Sequence, residues 1–305
     1  MWYIIFMEKI RYYSVNKYLQ DMFGCKVYKI ALNGGFTCPN RDGSIGYGGC
    51  IFCSEGGSGE FAGKPSLSIR EQILSGKEFI KKKLPQNQPV KYIAYFQAFT
   101  GTYAPVDYLR KIYYEAIEDD EVAVLSIATR PDCISSEVYE LLEEINRIKP
   151  VWIELGLQTV NEKSVEYIRR GYKNEVYVNC IKKLRNIGID VITHIILGIP
   201  KEDLNDYINT VNFAVQSGTN GIKLQLLHVL KNTDLCRDYE KGLFETLFMD
   251  EYIDAVVECL KVIPENVVIH RLTGDGDKKL LVAPMWSADK KRVLNELGKR
   301  IEVTG

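Results

Sequence analysis

Three cysteines carry the most specific chemistry in this sequence. Cys38, Cys50 and Cys53 lie in the stretch CPNRDGSIGYGGCIFCSEGGSGEFAG (38–63). Two thiolates separated by two residues face one soft metal centre, and a third from the same loop makes a three-donor pocket. Ten of the chain's 24 glycines fall between Gly34 and Gly63. Glycine permits positive φ and close backbone approach, so the amide N–H groups of the loop are expected to point at sulfide or at an anionic ligand.

Two metal readings start from these thiols. A closed zinc knuckle needs a fourth ligand. Cys25 precedes the first strand candidate, and a seven-residue strand spans roughly 23 Å, too far to share an ion with its other end. His194 and His228 fall late in their own strands and reach the right end. A four-iron cluster with one open iron needs only three thiolates, and this is the better account of a trio. Among the other cysteines, Cys180 and Cys259 read as small helix-face hydrophobes, and Cys133 sits near a strand end.

The elements that must position the trio are legible from residue 26 to about 230. Strand candidates are KVYKIAL (26–32), KYIAYFQAF (91–99), VAVLSIAT (122–129), VWIELGLQ (151–158), VITHIIL (191–197) and IKLQLLHVL (222–230). Amphipathic stretches lie between them. Ser68 opens one, Ser135 and Ser136 open another, and EVYVNCIKKLRNIG stops at Gly188 as a helix with a left-handed cap does. Six strands with five intervening helical segments predict right-handed βαβ units and an all-parallel sheet with apolar runs buried on both faces. The expected fold is α/β, a partial (β/α)6 TIM-like barrel with a C-terminal mixed α/β extension. The organisation predicted is a lead-in over 1–25, a core over 26–234 and an extension over 235–305. Chemistry in such a barrel sits at the carboxyl ends of the strands, where the cysteine loop begins.

The bulk numbers agree with one catalytic domain: 305 residues, 46% apolar, 26% charged and a net charge of −1. No apolar run approaches the roughly 18 residues of a membrane span. The start, MWYIIFMEKIRYYSVNKYLQDMFG, is too short in its apolar run for a signal peptide. Met7 is a candidate initiator, which would make residues 1–6 incidental. The eight cysteines are therefore expected in a reducing cytosol, where metal or redox chemistry is commoner than disulfides. Near-zero charge gives no global sign of nucleic-acid binding. The local basic patches, in 77–91 and at Lys278, Lys279, Lys290, Lys291, Arg292, Lys299 and Arg300, read individually as solvated helix faces.

Taken together, VYKIALNGGFTCPNRDG, GGCIFCSEGGSGEFAG with its Phe52 before the last cysteine, YFQAFTGTYAP, IATRPDCI, ELGLQT, HRLTGDG and LLVAPMWSADKKRVLN resemble the radical S-adenosylmethionine (SAM) superfamily, in its YhcC/YtqA-like group. The segments run from Val27 to Asn295. The usual three-residue gap between the first two cysteines is 11 here, a departure shared with the elongator-type tRNA-modifying branch. The resemblance implies a [4Fe–4S] cluster on Cys38, Cys50 and Cys53, with SAM on the fourth iron and its cleavage to a 5′-deoxyadenosyl radical. It also implies an electron donor such as flavodoxin or ferredoxin.

The same resemblance implies the SAM contacts. Gln97 and Thr100 take the place of a glycine-rich second-strand motif that meets the methionine amine. Thr129 and Arg130 stand beside Ala128, where related enzymes carry a ribose-binding glutamate. Gln158 and Arg170 match ribose- and carboxylate-side positions, and His194 a position by the nucleoside. The residues alone leave plain structural roles open for the last three: a satisfied strand end, an ion pair and a packed core histidine.

For the substrate, His228 and Lys231 follow the sixth strand candidate, and the tail combines Arg271 and Trp286 with basic clusters. That mixture suits phosphate contact with one stacked base, or a helical lid over the barrel mouth. The resemblance implies tRNA, with conversion of a 5-carboxymethylaminomethyl (2-thio)uridine side chain at the wobble position to 5-aminomethyl. Two alternatives stand beside it: a radical SAM enzyme acting on a protein or small molecule, and a non-enzymatic RNA-binding protein with a zinc knuckle.

Overall fold

A computed structural model describes residues 12–304 apart from 83, 85–88 and 275. The expectation about Met1 and Met7 lies outside the described residues, as does part of the 77–91 patch. The chain opens with β1 (Tyr13–Ser14) and α1 (Val15–Phe23), then β2 (Lys26–Leu32), α2 (Ile69–Lys81), β3 (Val90–Phe96) and α3 (Val106–Ile117). There follow β4 (Val122–Thr129), α4 (Ser136–Asn146), β5 (Val151–Gln158), α5 (Glu162–Tyr167), α6 (Asn174–Asn186), β6 (Asp190–Leu197) and α7 (Leu204–Gln216). The chain ends with β7 (Gly221–Leu226), β8 (Val229–Leu230), α8 (Asp234–Glu240), α9 (Met249–Lys261), β9 (Val268–Arg271), β10 (Leu281–Ala283) and α10 (Lys290–Thr304).

Local chemistry sets the boundaries. Ser68 caps α2 in a reciprocal box with Glu71, Ser135 caps α4, and Gly188 takes φ +75° just after α6. Two predicted strands end early. The second candidate stops at Phe96, and Phe99 turns into the left-handed region at φ +58°. The sixth stops at Leu226; Val229–Leu230 pairs instead with β10 in a separate antiparallel ribbon.

The main sheet has eight strands, in the order β1-β9-β7-β6-β5-β4-β3-β2, and every neighbouring pair is parallel. Six of these strands are the predicted ones. The other two are short, and β9 comes from the C-terminal extension, so the extension is woven into the sheet rather than set beside it. The sheet curls into an open half-barrel clad by helices. Its outer face packs Leu125, Ile127, Ile153, Leu155 and Val191 against Tyr113, Leu141, Ile145 and Leu184 of α3, α4 and α6.

Because alternate strand residues face the same side, the concave face is built in layers. The lowest is apolar: Ile93, Val124, Trp152 and Ile192 pack with Tyr18, Leu19 and Phe23 of α1, which touches both β2 and β9 and plugs the floor. Two residues further along each strand stand Tyr95, Ser126, Glu154 and His194. Above them, at the carboxyl ends, come Gln97, Ala128 and Gly156.

Candidate functional site

The loop after β2 is folded on itself and pinned on three sides. The carbonyl of Cys38 accepts from Arg41 N at 2.8 Å, and that of Cys50 from Cys53 N at 2.9 Å. Ile51 N donates to Ile168 O at 3.2 Å, its own carbonyl accepts from Leu235 N, and Thr100 N donates to Thr37 O. The Arg41 guanidinium reaches the carbonyls of Cys53 and Ser54. At Gly57, with φ +57°, any Cβ would lie 2.3 Å from the Phe99 ring, so only glycine lets the loop lie on the end of β3.

The expectation that the loop's amides aim at the metal ligand is corrected here. The N–H groups of Gly43, Gly46, Gly49, Gly57, Gly59 and Gly63 donate to backbone carbonyls, five of them within the loop itself. A folded loop this tight consumes its own donors. Cys50 Sγ meets the Asn40 side chain, whose Nδ2 lies 3.6 Å away and also 2.8 Å from Arg169 O, and the Arg169 carbonyl at 3.7 Å.

Cys38, Cys50 and Cys53 all line one cavity of about 270 Å³ at the carboxyl ends of the strands. Cys133 belongs to a different recess, with Thr102, Asp132 and Ser135. Among the described residues no three His, Cys, Asp or Glu gather round a point where a single ion would sit. Burial and the neighbouring Cys53 push the Cys50 thiol up to about 12, and burial raises Cys53 also. A metal bound to such thiols displaces their protons. Three soft donors lining one cavity, with no fourth thiol beside them, fit a cluster bound through three of its irons.

All seven residues expected to meet SAM line the same cavity: Gln97, Thr100, Thr129, Arg130, Gln158, Arg170 and His194. Their side chains are not equally available. Gln97 Nε2 donates to Ser58 O at 2.7 Å, leaving its oxygen. Buried Thr129 shares a 2.6 Å hydrogen bond with Thr102. Arg130 holds Asp132 through two nitrogens, at 2.9 and 2.7 Å, and donates to Arg170 O. Arg170, 1% exposed, spends its nitrogens on Leu157 O, Thr159 O, Tyr172 O and Asn174 Oδ1. It ties the end of β5 to the segment before α6, in place of the ion pair the residues alone left open for it. Both guanidiniums also lie over the Tyr172 ring, at 4.8 and 4.5 Å. Gln158 stands at φ +59° beside a register shift between β5 and β6, a bulge that re-aims its side chain.

His194 is not a passively packed ring. Its Nε2 lies 2.7 Å from Glu154 Oε2. Burial and Lys223 push its pKa down to about 4 despite Glu154, so the imidazole is neutral at pH 7. A neutral ring facing a carboxylate must donate from Nε2, which makes Nδ1 the acceptor.

Glu154 itself is a functional candidate absent from the sequence reading. Its side chain is fully buried and accepts from Lys29 Nζ at 3.0 Å, Ser126 Oγ at 2.9 Å, His194 and Lys223. Burial pushes the carboxyl up, but Lys223 and Lys29 outweigh it and hold the pKa well below the usual range. Burial, reinforced by Lys29 and Arg271 and opposed by Glu154, drives Lys223 well below its ordinary value. The signal was present: Lys29, Glu154 and Lys223 are charges inside runs that otherwise read as buried strands. Of the other substrate candidates, His228 and Arg271 line the cavity. Trp286 is half-buried; its Nε1 donates to Leu247 O at 3.0 Å and its ring lies 5.7 Å from Tyr252.

Comparison with known proteins places this geometry. Residues 37–214 match the model of the radical SAM superfamily, and residues 219–303 match the radical SAM C-terminal domain. YtqA of Bacillus subtilis is 44% identical over 295 residues, covering 97% of this chain and 91% of its own. A protein of Methanocaldococcus jannaschii named tRNA uridine(34) acetyltransferase is 24% identical over 181 residues, 57% of this chain and 31% of that longer one. Among solved structures, Elp3 of Methanocaldococcus infernus superposes with a TM-score of 0.65 at 18% identity, over 90% of this chain and 63% of that one.

Proposed function

This chain belongs to the radical SAM superfamily, and on that premise we propose that it modifies the wobble uridine of tRNA, converting a 5-carboxymethylaminomethyl (2-thio)uridine side chain to 5-aminomethyl. The observation that carries the reading is the gathering of Cys38, Cys50 and Cys53 with the seven expected SAM contacts in one cavity. When bound there, a [4Fe–4S] cluster with SAM supplies an electron and a 5′-deoxyadenosyl radical able to remove a hydrogen atom from carbon.

The chain's own residues hold, orient and enclose. Cys38, Cys50 and Cys53 are the cluster ligands. Asn40 faces the Cys50 sulfur, the kind of outer contact that tunes such a centre. Gln97 through its free oxygen, Thr100, Gln158 and the Nδ1 of His194 are the polar groups presented to SAM. Arg130 and Arg170 act through the strand ends they fix, because their donors are already engaged. Phe52 and Phe99 close the wall around the thiols and exclude water that would quench a radical.

Uridine 34 of tRNA is supported by the name of the archaeal relative, which shares this part of its chain. The glycine-derived methylene of the carboxymethyl group lies between nitrogen and carboxylate, where a carbon radical is stabilised; loss of one further electron to an acceptor and of the N–H proton would give an imine, whose C=N bond water cleaves to the aminomethyl group and glyoxylate. Mass spectrometry of tRNA from a strain lacking the protein tests the assignment. Accumulation of the carboxymethylaminomethyl nucleoside with loss of its aminomethyl descendants is expected, and an unchanged wobble profile overturns it. A small-molecule substrate is favoured by one observation: tail residues Lys299 and Arg300 pair with Glu296 and Asp254, and Trp286 is packed against the core. Purified protein that consumes SAM without tRNA and shows no salt-dependent tRNA binding would support that reading.

A further inference from the structure

The middle layer of the half-barrel has no role in holding the cluster. Glu154 is one carboxylate clasped by two lysines, and Lys223 and Glu154 both line the cavity that holds the thiols. Lys223 keeps only 4% of its side chain exposed. Its ammonium lies 4.9 Å from the centre of the Tyr95 ring, and Lys29 lies 4.2 Å from the same ring. A fold that needed only a packed interior would fill this layer as it fills the one below, with Ile93, Val124, Trp152 and Ile192. One buried ammonium, that of Lys223, and a second from the partly exposed Lys29 share a single carboxylate, an excess of positive charge that a second anion would relieve.

We propose that Lys223, held in place by Glu154 and backed by Lys29, is the seat for a carboxylate at the end of a short alkylamino chain. This rests on the wobble-uridine reading for its source, the carboxymethylamino group of the substrate. Layer geometry supports that source. Lys223 is third in β7 and Glu154 fourth in β5, while Gln97 and Gln158 stand at the strand ends. Successive same-face positions on a strand are about 7 Å apart. A carboxylate seated on Lys223 therefore lies about one layer beneath the strand ends, with its adjacent methylene nearer the thiol-lined wall and the base at the mouth. Glu154 is a positioning residue: its four donors fix the direction of the Lys223 ammonium and the tautomer of His194.

The other source of the same chemistry is the methionine carboxylate of SAM, and the experiment separates the two. The cluster-loaded protein is titrated by calorimetry with N-methylglycine, with N-methylglycinamide and, separately, with SAM. Saturable binding of N-methylglycine with no binding of the amide is expected. Lys223→Met should weaken N-methylglycine by at least about tenfold, the scale of one lost charge-assisted contact, with SAM affinity and iron content unchanged. Glu154 keeps Lys29, Ser126 and His194 in that variant, and Lys223→Arg, which retains the cation, should recover part of the binding. Equal binding of acid and amide by the unaltered protein overturns the proposal. So does absence of N-methylglycine binding, or binding that Lys223→Met leaves intact. Loss of SAM affinity in Lys223→Met assigns the seat to SAM and overturns its assignment to substrate. None of these readings uses tRNA, so a carboxylate seat dependent on Lys223 alongside unchanged wobble nucleosides would sink the tRNA reading and leave the seat standing.

Discussion

At the residue scale, the site divides into groups that were visible and groups that were hidden by their surroundings. The cysteines announce themselves by spacing. Replacing any one of Cys38, Cys50 or Cys53 by alanine should abolish the brown colour and broad visible absorption of the reconstituted protein while leaving its far-ultraviolet circular dichroism intact; retention of the full spectrum by all three variants would contradict the assignment. Arg170 makes a different prediction. Its guanidinium satisfies three buried carbonyls and the half-buried Asn174 Oδ1, so Arg170→Lys should cost about 3 kcal/mol in denaturant unfolding, on the scale of breaking a buried charged network. Glu202 supplies a pH signature. Burial lifts its pKa to about 7 against the opposing hydrogen bonds of Thr159 and Ser164. A carboxyl raised on folding contributes stability that is present below its unfolded pKa and lost as pH rises through about 7. Glu202→Gln should therefore gain on the wild type between about pH 5 and pH 8. Parallel stability curves over that range would refute the shift.

At the element scale, β5 and the cluster loop matter most. Strand β5 carries Trp152 in the apolar floor, Glu154 in the polar layer and Gln158 at the mouth, so one strand spans all three functions by simple alternation. Helix α1 closes the floor. Leu19→Ala should cost about 2–4 kcal/mol as a buried truncation, measured by urea unfolding, without changing how much iron the protein binds. The cap at Ser68 is worth less: Ser68→Ala should cost about 1 kcal/mol. Lys77, drawn from the basic patch expected to be solvated, is instead buried against Asp119 and Glu121. A helix face that packs on its neighbour can hold a charge when two carboxylates meet it.

At the scale of the whole molecule, the extension and the core share one sheet. Strand β9 pairs with β7 and carries Arg271 into the cavity, and α9 and α10 pack on the same outer core. A fragment ending at residue 234 would expose the β7 edge and remove the cover over Tyr207 and Val211. It should fail to unfold cooperatively, whereas the full chain should show one transition. A sharp, two-state transition for the fragment would contradict this.

The sequence by itself determined what local physics controls: six buried parallel strands, helix caps at Ser68 and Ser135, and the trio of thiols in a glycine-rich loop. Those features depend on residue type and near spacing, so they can be read along the chain. The tertiary structure alone decided the rest. Amides expected to face a ligand were drawn into the loop's own hydrogen bonds, Arg170 became a brace for a strand end, and Trp286 was drawn into packing. Lys29, Glu154, His194 and Lys223 come from four strands, up to 194 residues apart in number, and only curling the sheet gathers them around one buried carboxylate. Burial and charge pairing are properties of that gathering, which is why no stretch of sequence displays them.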